Sequence, residues 1–286
     1  MEQDDIKQEV RRFYDQVGWQ KEADGLYQNA HYEDLRPVSA EYIHKCHLRV
    51  GRYLKGPGKY LLDAGSGPVQ YEEYMEYLRG YQYRVCADIS IVALIEARKK
   101  LGERGLYVVA DVANLPFKKE AFDGVMSMHT IHHLPRQDHK KAYQELYRVL
   151  MPGNTAVVVN GWSDPALIGR IDHFIKWTNR TRRNILRALK GKPRKEGGAA
   201  AGSKEKGTFV QKYNAAWLTQ ELAGSVPVRI LVWRSASVRF LRTFIHGWLG
   251  GKYWLRWLYN LEERHPQYFG ENGQYPLILL EKPANK

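Results

Sequence analysis

The 286-residue sequence has only two cysteines, Cys46 and Cys86, and the second lies inside an apolar run of strand length. A disulfide scaffold is therefore excluded, and a reducing cytoplasm is the expected setting. No apolar run approaches the ~18 residues that a membrane-spanning helix requires. The opening MEQDDIKQEV is acidic and polar, without the basic-then-apolar order of a secretory signal. Acidic residues are scarce in one part of the chain only. Residues 1–169 carry 22 Lys and Arg against 23 Asp and Glu, whereas residues 170–286 carry 22 against 8. The net charge of +13 thus sits in the last two-fifths, which suggests an anionic substrate, partner or surface there, or else a solvated basic face.

Short apolar runs of strand length recur at Tyr60–Ala64, Tyr83–Ala87, Leu106–Ala110, Phe122–Met126 and Thr155–Asn160, separated by helix-patterned stretches. Two more follow, at Val228–Val232 and Leu277–Leu280. The period predicts helices over Asp5–Val17, Ser39–Leu54 and Ala215–Ala223, and an aromatic, Arg-rich helical stretch over Val238–Leu261. Strands that alternate with helices need crossover connections, and these build a parallel sheet covered on both faces. The expectation is an α/β Rossmann-like, seven-stranded, mostly parallel sheet with a helical insertion or lid. Residues 1–58 would cap the site and 59–160 would form the core. An insertion over 161–213 would carry a basic helical segment (Pro165–Lys190) and a mobile linker at 191–208. Residues 214–286 would close the sheet around a second insertion, 238–269.

Leu62-Asp63-Ala64-Gly65-Ser66-Gly67-Pro68 ends the first strand in an acid and turns through two glycines. Such a turn opens a ligand crevice and lets backbone approach the ligand closely. A dinucleotide fingerprint would need a third glycine where Gln70 stands, and no P-loop lysine follows. Asp88 closes the second strand, and Asp111 follows the third in Ala110-Asp111-Val112-Ala113-Asn114-Leu115-Pro116-Phe117. Phe122-Asp123-Gly124-Val125 and Leu150-Met151-Pro152-Gly153 complete an ordered series. Together these segments resemble the class I S-adenosylmethionine-dependent methyltransferase family.

That resemblance implies that Asp63, Ala64, Gly65, Ser66 and Gly67 cradle the methionine part of S-adenosyl-L-methionine. It implies that Asp88 takes the ribose diol and that Asp111 meets the adenine amine, with Val112 packed on the ring. Ile89 and Met128 join the same cofactor set, and Tyr14 is expected either to close over the sulfonium, where a π face favours positive charge, or to form with Phe13 the buried face of an amphipathic helix. Val69 stands where the family has a further glycine, which would crowd the cofactor tail. Asn154 stands in place of another and would take left-handed angles.

His133, in His129-Thr130-Ile131-His132-His133-Leu134-Pro135, is the candidate general base at the carboxyl edge of the sheet, or else a capping residue. The histidine cluster has no nearby cysteine, and no metal is expected. The insertion's Phe240, Trp248, Trp254 and Trp257 suggest a pocket for an aromatic or lipid-like small-molecule acceptor, or a peripheral contact with an anionic membrane. A second small core is the plainer alternative. An RNA methyltransferase using the basic part is the runner-up, although Ser127-Met128-His129-Thr130 is not a base-methylating Asn-Pro-Pro-Tyr segment. A cofactor-binding, non-catalytic subunit is the third reading.

Overall fold

Each of the seven apolar runs becomes a strand of one sheet in the computed structural model, which describes residues 3–20, 27–28, 33–54, 56–167, 169, 180–181 and 208–284. The strands are β1 (Gly58–Ala64), β2 (Tyr81–Asp88), β3 (Gly105–Val109), β4 (Gly124–Met128), β5 (Thr155–Val159), β6 (Val228–Arg234) and β7 (Tyr275–Glu281). Their spatial order is β3-β2-β1-β4-β5-β7-β6. β1 to β5 run parallel, and β7 is antiparallel to both β5 and β6. The chain leaves β1 toward β2 on one side and returns as β4 on the other. A crevice must therefore open beyond the carboxyl ends of β1 and β4.

Both faces of the sheet are covered, so successive strand residues alternate between two apolar layers and the strands read as unbroken apolar runs. Leu61, Cys86, Met126, Val157 and Leu279 face one layer, with α2 (Ala40–Leu48) and α4 (Ile91–Leu101). Leu62, Val85, Val125, Val158 and Leu280 face the other, with α5 (Arg136–Val149) and α6 (Ala215–Leu222). The remaining described helices are α1 (Gln3–Phe13), the single turn α3 (Glu73–Glu76), α7 (Val238–Phe244), α8 (Gly251–Arg264) and α9 (Pro266–Asn272).

Local chemistry explains where sequence and structure part. The amino-terminal helix ends at Phe13 and continues as one π-helical turn, Tyr14–Gly18, rather than as α-helix to Val17. Such turns often accompany functional sites. The second helix stops at Leu48 and gives way to a 3-10 turn at Val50–Arg52. β4 begins at Gly124, not Phe122, because the Asp123 carboxylate accepts from the N–H groups of Lys59 and Tyr60. The aromatic stretch from Val238 is broken after Phe244, and Gly250 takes φ +70° as the cap of α8. A Cβ on the next residue, Gly251, would lie 2.8 Å from His246 O. Asn154 is not left-handed; Gly153 takes that angle instead, at φ +81°. The basic segment from residue 170 and the linker at 191–207 lie outside the described residues, apart from Arg180 and Thr181.

One polar pair is buried where apolar packing would be expected. Arg84, wholly buried in β2, reaches Asp63 of β1 through Nη2 (2.5 Å) and Nε (3.1 Å), and its Nη1 donates to Tyr74 O. Removing one partner of such a pair leaves an uncompensated buried charge, which costs about 3–5 kcal/mol. Arg84→Met should therefore lower the unfolding free energy in urea by about that amount. Adding Asp63→Asn should restore part of it. A loss below about 1 kcal/mol in the single variant would contradict the pairing.

Candidate functional site

A cavity of about 750 Å³ opens at the carboxyl ends of β1, β2 and β4. It lies toward the upper end of the ~300–1,000 Å³ usual for small-molecule sites. Tyr14, Asp63, Gly65, Ser66, Gly67, Asp88, Ile89, Asp111, Val112, Met128 and His133 all line it. Ala64 does not: its side chain is wholly buried in the layer with Leu62 and Val85, and its carbonyl accepts from Ser127 Oγ. Val69 does not crowd the cavity either. Its backbone is left-handed, φ +52°, and its side chain is turned into the core, fully buried. That conformation costs a β-branched residue about 1–2 kcal/mol, offset by burial.

The loop is tied to its surroundings from both sides. Gly65 takes φ +75°, and a Cβ there would stand 2.2 Å from Thr130, so the close approach that needs this glycine is a protein contact. The Asp88 carboxylate accepts from Gly67 N through one oxygen and from Ser90 N through the other, each at 2.8 Å. Burial pushes the Asp88 pKa up to about 6, against the pull of those two N–H groups. A carboxylate has about four acceptor positions, so two remain for a ligand.

The amino-terminal segment roofs the cavity. Trp19 lies over Gly67, 3.0 Å from where its Cβ would be, and stacks on Tyr14 with ring centroids 5.0 Å apart. Asp15 accepts from Ser90 Oγ. Lys7 forms ion pairs with Asp111 (2.6 Å) and Asp138 (2.5 Å), clamping α1 onto the loop after β3 and onto α5. One face of Tyr14 is thus covered by Trp19, and its hydroxyl meets His133 Nε2 at 2.8 Å. On the other side of the imidazole, Nδ1 lies 2.8 Å from Phe209 O. A carbonyl can only accept, so Nδ1 carries the proton and Nε2 accepts from the Tyr14 hydroxyl. Burial lowers the His133 pKa to about 4, which keeps the ring neutral at pH 7. His129, also lowered by burial, to about 3, packs edge-on against Trp233 and Tyr275. Among the described residues, no group of three His, Cys, Asp or Glu is placed to hold a metal ion.

The aromatic insertion does not build the pocket. Only Val238, Arg239 and Arg242 of it reach the cavity wall. Trp248, Tyr253, Trp254 and Trp257 are exposed by 82, 75, 60 and 58%. The inner face of α8 packs on α2 instead, through Leu255 and Tyr259. Wholly buried Glu262 joins them there, accepting from Tyr42, Ser235 and Arg49.

Sequence reasoning missed Lys7, Trp19, Arg84, Thr130 and Lys212. The one legible signal was an arginine inside the apolar strand Tyr83-Arg84-Val85-Cys86-Ala87. The others act across distances that no local pattern encodes.

Comparison with known proteins places this geometry. Residues 62–158 match a family described as methyltransferase domain. Over 130 residues the chain is 29% identical to "Probable tRNA methyltransferase 9B" of Homo sapiens, covering 44% of this chain and 27% of that protein. Over 78 residues it is 41% identical to a demethylmenaquinone methyltransferase of Thermus thermophilus, covering 26% of this chain and 34% of that one. The chain thus spans about a third or less of the length of these two relatives. Its fold resembles that of geranyl diphosphate C-methyltransferase from Streptomyces coelicolor A3(2), with TM-score 0.54 and 15% identity over 97% of this chain and 98% of that one.

Asp88 gives a direct check of the site's electrostatics. Its folded pKa lies above the ordinary value, so its contribution to stability is full below about pH 4 and is lost as pH rises through about 6. Carboxyl-carbon NMR should show Asp88 titrating near pH 6, and an Asp88→Asn protein should lack that loss. A midpoint below 4 would contradict the burial argument.

Proposed function

We propose that this chain, whose residues 62–158 carry the domain of the class I S-adenosylmethionine-dependent methyltransferases, transfers a methyl group from S-adenosyl-L-methionine to a small-molecule acceptor. The observation that carries the reading is the convergence of Gly65–Gly67, Asp88, Asp111 and Met128 on one cavity at the sheet's switch point. The residues fit the cofactor. Asp88 holds two spare acceptor positions for the ribose diol. Ile89 and Val112 offer apolar surface to the adenine. Asp111 keeps acceptor capacity beside Lys7, and the Gly65–Gly67 turn faces the methionine part.

The bound cofactor supplies a methyl group already activated on sulfur, so transfer needs alignment rather than further activation. What this chain's own residues would handle is the proton of an acceptor that carries one. Tyr14 and His133 offer the route: the acceptor proton passes to the Tyr14 oxygen as the Tyr14 proton moves to His133 Nε2, with Phe209 O steadying the imidazolium through Nδ1. Burial makes His133 a weak base, which suits an acceptor that loses its proton late in the transfer.

An RNA acceptor is the second reading, supported by the tRNA methyltransferase relatives and by the positive carboxyl-terminal part. The cavity favours the first, because its volume of about 750 Å³ is that of a small-molecule site. The exposed tryptophans of α8 and the turn before it support contact with a lipid surface. Trideuteromethyl-labelled cofactor incubated with the protein and cell extract separates these acceptors. The label should enter the low-mass or lipid fraction and survive ribonuclease, and Tyr14→Phe and His133→Ala should each slow its entry about a hundredfold. Label confined to ribonuclease-sensitive material, or unchanged rates in both variants, would overturn the reading.

A further inference from the structure

The cavity wall carries four carboxylates, and each is already answered. Asp63 is paired with Arg84, Asp111 with Lys7, and Glu33 with Arg234, while Asp88 accepts two backbone N–H groups. Lys212 stands opposite this pattern. Its ammonium group lines the cavity with no hydrogen bond or ion pair to any described residue, and desolvation alone lowers its pKa. A lysine whose ammonium snorkels to water would not be desolvated in this way.

The backbone that carries the amine is held in place. The extended strap that carries it is pinned by Gln211 N to His132 O (2.7 Å), by Ser163 N to Tyr213 O (3.0 Å) and by His133 Nδ1 to Phe209 O. Lys212 Nζ passes Gly161 so closely that a Cβ there would lie 3.0 Å from it and 3.5 Å from the Tyr275 ring. Beyond that ring, at 4.7 Å, lies the guanidinium of Arg234, whose buried Nε finds no acceptor. The histidines nearby, His129, His132 and His133, are held neutral by burial and supply no counter-charge. A partly desolvated ammonium with no anion beside it among the described residues is costly, and a negative ligand would offset that cost.

We propose that Lys212 is the anion-recognition residue of the acceptor subsite, so that the acceptor carries a carboxylate or a phosphate seated on Lys212 Nζ beside Tyr275. Val210, Val238 and Tyr71 line the same cavity and accommodate an apolar body behind that head group. The acceptor is an acidic amphiphile, oriented by its charged end. The inference rests on the methyltransferase reading for the word acceptor, but its test does not.

The protein loaded with S-adenosylhomocysteine is treated with succinimidyl acetate at pH 8, and acetylation of Lys212 is followed by peptide mass spectrometry with exposed Lys252 as internal reference. Decanoate, decyl phosphate and uncharged decanol are the probes. An anion on the amine that raises its pKa by one unit slows its acetylation about tenfold. One or both acids should give such protection while decanol does not, and the one that protects better identifies the head group. The same acid should bind in calorimetry and lose its affinity in Lys212→Gln. Equal protection by decanol, protection by neither acid, or unchanged binding in Lys212→Gln would overturn the proposal. Failure of S-adenosylhomocysteine itself to bind would instead count against the methyltransferase reading.

Discussion

The Asp88 carboxylate, ending β2, is the point on which the site's geometry turns. Its two oxygens tie the glycine loop after β1 to the start of α4, so two crossover connections are braced against each other at the mouth of the crevice. Without that brace the loop would keep its hydrogen bonds to Thr130 and Ala87 but lose the tie to the end of β2, and the wall between the expected ribose and methionine positions would be less firmly fixed. The brace is costly, because the same burial that excludes water raises the carboxyl pKa to about 6. Ligand hydroxyls that donate to the spare positions would recover part of that cost, so the site is poised to gain from being filled.

Around this brace the amino-terminal segment behaves as a lid built from charge and aromatic stacking. Lys7 fastens it to Asp111 and Asp138, Asp15 fastens it to Ser90, and Trp19 with Tyr14 covers the glycine loop. These contacts all bridge to elements whose ends form the cavity. Through Asp111 and Gly67 the covering segment touches residues that the cofactor is proposed to touch. On the acceptor side, the strap at Phe209–Tyr213 performs the matching task by fixing His133 and Lys212 together.

Much of this was legible in the chain. All seven strands, their alternation with helices and the ordered acids and glycines follow from period and spacing, because β-sheet burial and turn chemistry are local. The limits are equally physical. Arg84 pairs with a residue that is distant in sequence, and Lys7 reaches across the molecule to Asp111; neither partner is encoded nearby. The tryptophans around α8 read as a pocket because aromatic density signals burial, yet α8 turns a different stripe, Leu255, Tyr259 and Glu262, toward α2 and leaves them outside. Ala64 looked like part of the cradle because it sits between cradle residues, but strand alternation points its side chain to the opposite layer.

The crevice between β1 and β4 is proposed as a methyltransferase cofactor site and not a dinucleotide site. Isothermal titration of the full chain with S-adenosylhomocysteine and, separately, with NAD tests it most directly. Saturable micromolar or tighter binding of S-adenosylhomocysteine is expected, weakening as pH falls below about 6 and Asp88 takes up its proton, with no binding of NAD. Tight NAD binding, or S-adenosylhomocysteine affinity that is absent or indifferent to the Asp88 proton, would contradict it.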